Sequence, residues 1–189
     1  MENKSFNIIP WVTHHKHTIL LHSEFLAVES HQVELPNGKV IEDWPWIIIP
    51  SAAIIIAETN QGDFICFQQY KYATGATMAP VGGMIGEGED PLAAAKRELL
   101  EETGYQASKW THLGSYQMDP NRGVAIMHLY LAQGAYKIAE PIVDDLEEQH
   151  IVMLSRSEME TALISGEFKA LMWTATVALA LIHLRNQDK

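Results

Sequence analysis

The chain has 189 residues, 47% hydrophobic and 20% charged, which describes one globular domain with room for a small appendage and excludes a disordered chain. Thirteen basic against twenty-four acidic residues leave a formal charge of −11. A surface that acidic repels nucleic acid, and a small anionic substrate on it needs local neutralisation, most simply by metal ions. The lone cysteine, Cys66, excludes an intramolecular disulfide and a cysteine-based zinc cluster. Met1 to Pro10 lacks the apolar stretch of a signal peptide, and the apolar run from Ala170 to Leu184 falls short of a membrane span. The expectation is a soluble, cytoplasmic protein with neither a nucleic acid nor a membrane as partner.

In chain order, His14, His15 and His17 fall in a segment that reads as flexible and builds no specific site. Phe25–Leu35 and Lys39–Ile49 are rich in β-formers and flank Pro36-Asn37-Gly38, which predicts a β-hairpin ahead of the main domain. Pro45 cannot donate to a ladder, so Trp44-Pro45-Trp46 marks an edge or a bulge on the return strand. These features divide the chain into an N-terminal segment with its hairpin, 1–50, and a main domain, 51–189. Ala52–Ala57 and Phe64–Tyr70 are continuous apolar strands joined by a turn at Asn60-Gln61-Gly62-Asp63, and a glycine-rich loop follows from Gly75 to Gly88. Cys66, between Ile65 and Phe67, is expected buried and unreactive.

A helix is predicted over Pro91–Thr103: Asp90 suits its N-cap, Pro91 its first position and Gly104 its end. Trp110–Met118 and Val124–Ala132 read as strands separated by Asp119-Pro120-Asn121-Arg122-Gly123, with His128 a packed or edge residue. An acidic stretch, Asp144 to Glu148, precedes a strand at His150–Leu154, and helices follow at Ser157–Ser165 and Phe168–Leu184. In the last of these, Leu171, Val177, Leu181 and Leu184 read as core or interface. The order of elements indicates a mixed α/β sandwich without strict βαβ repetition.

The chemistry is written between Gly83 and Tyr105. Glu98, Glu101 and Glu102 stand at i, i+3 and i+4, so their carboxylates share one helix face while Leu92, Ala95 and Leu99 form the stripe to be buried. A charge run alone describes a solvated face. Three clustered carboxylates also repel one another, and hard divalent cations such as Mg²⁺ or Mn²⁺ relieve that repulsion. Arg97, four residues before Glu101, can hold its carboxylate through a charge-assisted hydrogen bond. Gly82 and Gly83 let backbone approach a metal or phosphate.

Gly83, Glu89, Arg97, Glu98, Leu99, Glu101, Glu102, Gly104 and Tyr105 resemble the Nudix box at its full spacing, with Tyr105 replacing an aliphatic residue. Seven fixed identities coincide by chance in about one window in 10⁸ at ordinary residue usage. The resemblance implies a Nudix-type α/β/α sandwich with a mixed sheet. It also implies metal-dependent hydrolysis of a nucleoside diphosphate linked to another moiety. The implied metal ligands are Glu98, Glu101 and Glu102 with the Gly82 carbonyl; Arg97 would orient Glu101, and Glu89 would brace the loop.

Features beyond the box resemble the ADP-ribose and nucleotide-sugar pyrophosphatase branch. These are the hairpin, Phe67-Gln68-Gln69-Tyr70-Lys71, Pro120 fifteen residues past Tyr105, and the acidic segment. The branch implies a late-loop catalytic glutamate, Glu147 or Glu148, and a homodimer exchanging its hairpin arm. Trp44 and Trp46 would stack on a base, and Lys71 and Arg122 would meet phosphate or sugar. Met78 stands where the branch often has glutamate, and Val81 where it has a smaller residue; both are expected near the substrate mouth. Hydrolysis of nucleoside triphosphates or dinucleoside polyphosphates, and a non-catalytic nucleotide-sugar sensor, are the alternatives. An isoprenyl-diphosphate isomerase would need a pocket cysteine, which a buried Cys66 cannot supply.

Overall fold

The computed structural model describes residues 8–142 and 148–188. Two compact units emerge: one holds the described residues up to Pro50 together with Asp119–Ala125, the other Ser51–Met118 together with Ile126 onward.

In the first unit, β1 (Val12–Ser23), β2 (Leu26–Glu34) and β3 (Val40–Ile48) form an antiparallel sheet in that order. The expected hairpin is β2–β3. Its turn closes with the Leu35 N–H donating to the Lys39 carbonyl and the Gly38 N–H to the Leu35 carbonyl, each at 2.9 Å. The segment of His14, His15 and His17, expected to be flexible, instead belongs to a strand pairing along β2 from Val12↔Glu34 to Ser23↔Leu26. That strand buries neither face, so it carries no period-two apolar pattern to betray it. β3 lies at a sheet edge, where Pro45 opposite Ser30 costs no ladder bond.

The second unit contains β4 (Ala52–Thr59), β5 (Phe64–Lys71), β6 (Gly75–Met84), α1 (Pro91–Thr103), β7 (Tyr105–Asp119), β8 (Val124–Lys137), β9 (Gln149–Leu154), α2 (Arg156–Ile164) and α3 (Leu171–Gln187), with the β7–β8 turn belonging to the first unit. Its sheet is six-stranded and mixed, in the order β7-β8-β4-β6-β5-β9, with β4 parallel to β8 and antiparallel to β6. Most of the expected glycine loop is therefore β6, and the loop shrinks to residues 85–90.

The run in β4 is continuously apolar because both its faces are covered. Ala53, Ile55 and Ala57 join Ala95 and Leu99 of α1 in one core. Ile56 joins Met159 of α2 and Val177, Leu181 and Leu184 of α3 in another. This is an α/β/α sandwich. Of the positions read as core or interface, Val177, Leu181 and Leu184 are buried in the core, while Leu171, at the start of α3, is 80% exposed and lies outside it. Among the described residues, no helix is long and apolar enough to cross a membrane.

Candidate active site

The site is built on α1. Asp90 caps the helix by accepting from the Leu92 and Ala93 N–H groups, at 3.1 and 2.9 Å, with Pro91 in the first turn. Gly104 ends it in the left-handed conformation, φ 76°, with its N–H on the Leu100 carbonyl. Leu99, Ala94 and Ala95 are fully buried against the sheet, which turns Glu98, Glu101 and Glu102 away from the core.

Arg97 is the hub of this face. Its Nε and Nη2 donate to the two oxygens of Glu89 at 2.9 and 3.0 Å, a bidentate pair. Its Nη1 donates to Glu98 at 2.7 Å and Glu101 at 3.0 Å, and Nη2 also reaches the Met84 carbonyl at 3.1 Å. Arg97 thus contacts Glu101 as expected, and Glu98 as well. Glu89 accepts from the Gly86 N–H at 2.8 Å, which ties the 85–90 loop to the helix. The guanidinium and that N–H pull the Glu89 carboxyl down to about 2. Glu98 moves the other way: burial, reinforced by the Glu101 and Glu89 charges, raises its pKa despite Arg97.

β6 faces these carboxylates. The Gly82 N–H donates to Glu102 Oε2 at 3.1 Å, and a Cβ on Gly83 would overlap the Glu98 carboxyl group. Glycine at 83 is therefore a steric requirement for Glu98 to occupy its place.

Glu89, Glu98 and Glu101 present three carboxylates to a single guanidinium, and Glu102 adds a fourth on the same helix as Glu98 and Glu101. That charge excess and its all-oxygen chemistry fit a hard divalent cation. Among the described residues, no three carboxylates or imidazoles already converge as a closed cation cage. Arg97 lies across Glu98 and Glu101 in this arrangement.

The other expected residues fall elsewhere. Glu147 lies outside the described residues. Glu148 is exposed and sits 3.5 Å from His150. The Ile142 N–H donates to the Glu101 carbonyl at 2.8 Å, so the chain leading to the acidic segment departs from the carboxylate turn of α1. Lys71 ends β5, paired with Gly75. Met78 packs into the core shared with α2 and α3, on the sheet face opposite α1, while Val81 is buried in the α1-side core. The structure does not bring the Met78 side chain to the carboxylates.

Trp44, Trp46 and Arg122 belong to the first unit. There Trp44 Nε1 donates to the Asn121 carbonyl at 2.7 Å, and Trp46 stacks on His31 at 5.1 Å between centroids. The two tryptophans line a cleft of about 270 Å³ with Trp11, His31, Pro120 and Asn121. Arg122 is paired with Asp119 at 2.9 Å. Trp11 and His31 were invisible as partners of Trp44 and Trp46 in the sequence, because strand register alone joins them.

Three carboxylates on one helix of an α/β/α sandwich, two of them tied by Arg97, are the chemistry of a hydrolase acting on phosphoanhydrides, and similarity to known proteins gives that class. The NUDIX domain profile matches residues 48–175, and the chain belongs to the Nudix family. It is 32% identical over 164 residues to the methanol dehydrogenase activator of Bacillus methanolicus, covering 86% of each chain. It is 31% identical over 157 residues to the ADP-ribose pyrophosphatase of Bacillus subtilis (strain 168), covering 82% of this chain and 83% of that one. A crystal structure of an ADP compounds hydrolase shares the fold with a TM-score of 0.79 at 24% identity, over 97% of this chain and 98% of that chain.

Proposed function

We propose that this Nudix hydrolase cleaves the diphosphate bridge of ADP-ribose or a related nucleotide sugar, giving a nucleoside monophosphate and a sugar phosphate. The observation that carries the reading is the Glu98–Glu101–Glu102 face of α1, ordered by Arg97 and set against Gly82 and Gly83. The relative named ADP-ribose pyrophosphatase, similar over most of both chains, supports the substrate class.

Glu98, Glu101, Glu102 and the Gly82 carbonyl would hold Mg²⁺, with Mn²⁺ as a substitute. When bound, the metal supplies Lewis-acid polarisation of the diphosphate and a lowered pKa for the attacking water. The remaining work falls to the chain itself. Arg97, clamped by Glu89, holds the Glu98 and Glu101 carboxylates in orientation. A carboxylate of Glu147 or Glu148 takes the proton from the attacking water. Trp44 and Trp46 offer flat apolar surfaces for a base, and Lys71 and Arg122 offer cations for phosphate or sugar.

A homodimer built through the first unit belongs to the same reading. β1 is exposed along its length and presents Ile19 and Leu21 to solvent, at 63% and 74% exposure, at the open edge of its sheet.

The test is a Mg²⁺-dependent hydrolysis panel over ADP-ribose, ADP-glucose, GDP-mannose, UDP-glucose, NADH, diadenosine polyphosphates and nucleoside triphosphates, read by chromatography of the products. Selective AMP release from ADP-ribose or ADP-glucose is expected. Turnover confined to triphosphates or diadenosine polyphosphates would overturn the substrate class, and binding without turnover would overturn the activity.

A further inference from the structure

β7 and β8 bring together three side chains that the carboxylate site does not use. His112 Nε2 lies 3.0 Å from Ser115 Oγ, and the same oxygen lies 2.9 Å from His128 Nδ1. Two imidazole nitrogens from neighbouring strands are thus aimed at one point. The arrangement is held from below: the His112 ring packs 5.2 Å from that of Tyr130, itself 6% exposed and met edge-on by Trp110 at 6.2 Å. His128 is fixed in the sheet opposite Ala53 of β4. His112 and Ser115 are exposed and His128 half-buried, so the point of convergence is open to solvent.

Electrostatics decides what such a point attracts. Burial and the neighbouring His112 hold the His128 pKa below its usual value, which favours the neutral ring and its lone pair. The carboxylate acting on both His128 and Tyr130 is that of Asp90, and the chain as a whole carries −11. An imidazole pair in a negative field suits a cation and repels a phosphate. Imidazole nitrogen prefers borderline ions such as Zn²⁺ over Mg²⁺, which takes oxygen ligands. Among the described residues, no third His, Cys, Asp or Glu completes a closed cage, so water supplies the remaining ligands.

We propose that His112 and His128 form a second cation site, for a divalent ion of the Zn²⁺ class, separate in chemistry and position from the carboxylates of α1. Ser115 bridges the two rings when the metal is absent and becomes an outer partner when it is bound, orienting the ligands as supporting groups do at other metal centres.

The experiment uses the full chain with saturating Mg²⁺, so that oxygen ligands are occupied. Zn²⁺ is titrated by calorimetry, and Cu²⁺ is added for electron paramagnetic resonance. One equivalent of Zn²⁺ and a Cu²⁺ signal coupled to two nitrogens are expected. In the His112→Ala/His128→Ala double variant, Zn²⁺ affinity should fall by more than about tenfold and the two-nitrogen coupling should vanish, while the melting temperature stays at the wild-type value. His15 and His17, stacked on β1, are the competing pair. A His15→Ala/His17→Ala variant should leave both signals intact. Coupling that survives loss of His112 and His128, or disappears with His15 and His17, would overturn the proposal.

Discussion

β4 and β1 are both long strands, yet they stand at opposite extremes of burial. From Ala53 to Ala57, no residue of β4 exceeds 5% exposure, because α1 covers one face and α2 with α3 the other. β1 pairs along one edge and leaves its side chains in solvent. Among the described residues up to Pro50, Val33 is the one buried hydrophobic side chain. The second unit carries its own core and the carboxylate-bearing helix α1. The first is a sheet that leaves Ile19, Leu20 and Leu21 of β1 exposed.

The largest expected effect lies in the second unit, at the carboxylates. On the proposed reading, Glu102→Gln and Glu98→Gln should each lower Mg²⁺-dependent turnover on the order of 10³-fold, because each removes a carboxylate that would hold the metal. Glu98→Gln should also raise the melting temperature measured without metal. The raised Glu98 pKa means that its charge opposes folding at neutral pH; the stability it contributes is present below the ordinary carboxylate range and lost as pH rises through the folded value. Function and stability therefore pull apart at this position. A Glu98→Gln protein that melts lower than wild type in the absence of metal would show that the Arg97 contact outweighs the burial.

Next comes the contrast in packing. Ile55 is completely buried, so Ile55→Ala should cost about 2–5 kcal/mol in denaturant unfolding. Leu21→Ala, on the exposed strand, should change unfolding by no more than about 0.5 kcal/mol, yet should weaken self-association measured by sedimentation. If Leu21→Ala leaves both stability and association untouched, β1 is not the dimer face.

The same contrast explains what could be read in advance. α1 was legible to the residue, since Asp90, Pro91 and Gly104 each act locally and the carboxylate spacing is set by helical geometry. β4 and β5 were legible because double-sided burial writes an unbroken apolar run. β1 was missed for the converse reason: a strand that buries nothing leaves no pattern. β6 was mistaken for loop because its glycines, needed for close approach to Glu98 and Glu102, imitate turn chemistry. The His112–Ser115–His128 convergence depends on cross-strand register, which no local signal records.

A smaller effect concerns the Arg97 clamp. Glu89 titrates at about 2 against an ordinary 4.5, so its pairing stabilises the fold above the unfolded value and is lost as pH falls toward the folded one. The melting-temperature advantage of wild type over Glu89→Gln should therefore be full near neutrality and shrink between about pH 4.5 and 2. Its partial exposure keeps the effect modest. A gap that persists at pH 2 would assign the stabilisation to loop packing and not to the charge.

The smallest expected signal separates the two units most cleanly. Cys66, in β5, is fully buried 3.8 Å from the Met159 sulfur, and burial alone lifts its thiol to about 12. The thiolate is the reactive form, so at pH 8 the folded protein should show essentially no reaction with a disulfide reagent, while denaturant should release one reactive thiol. Hydrogen exchange should run in parallel, with β1 amides on the free edge exchanging quickly and those of β5, paired on both sides by β6 and β9, protected to the level of global unfolding. Fast labelling of Cys66 in the native protein would mean that β9 and α2 open without the rest of the sheet. The buried unit would then divide further, and α1 with its carboxylates would rest on a smaller stable core than the packing alone suggests.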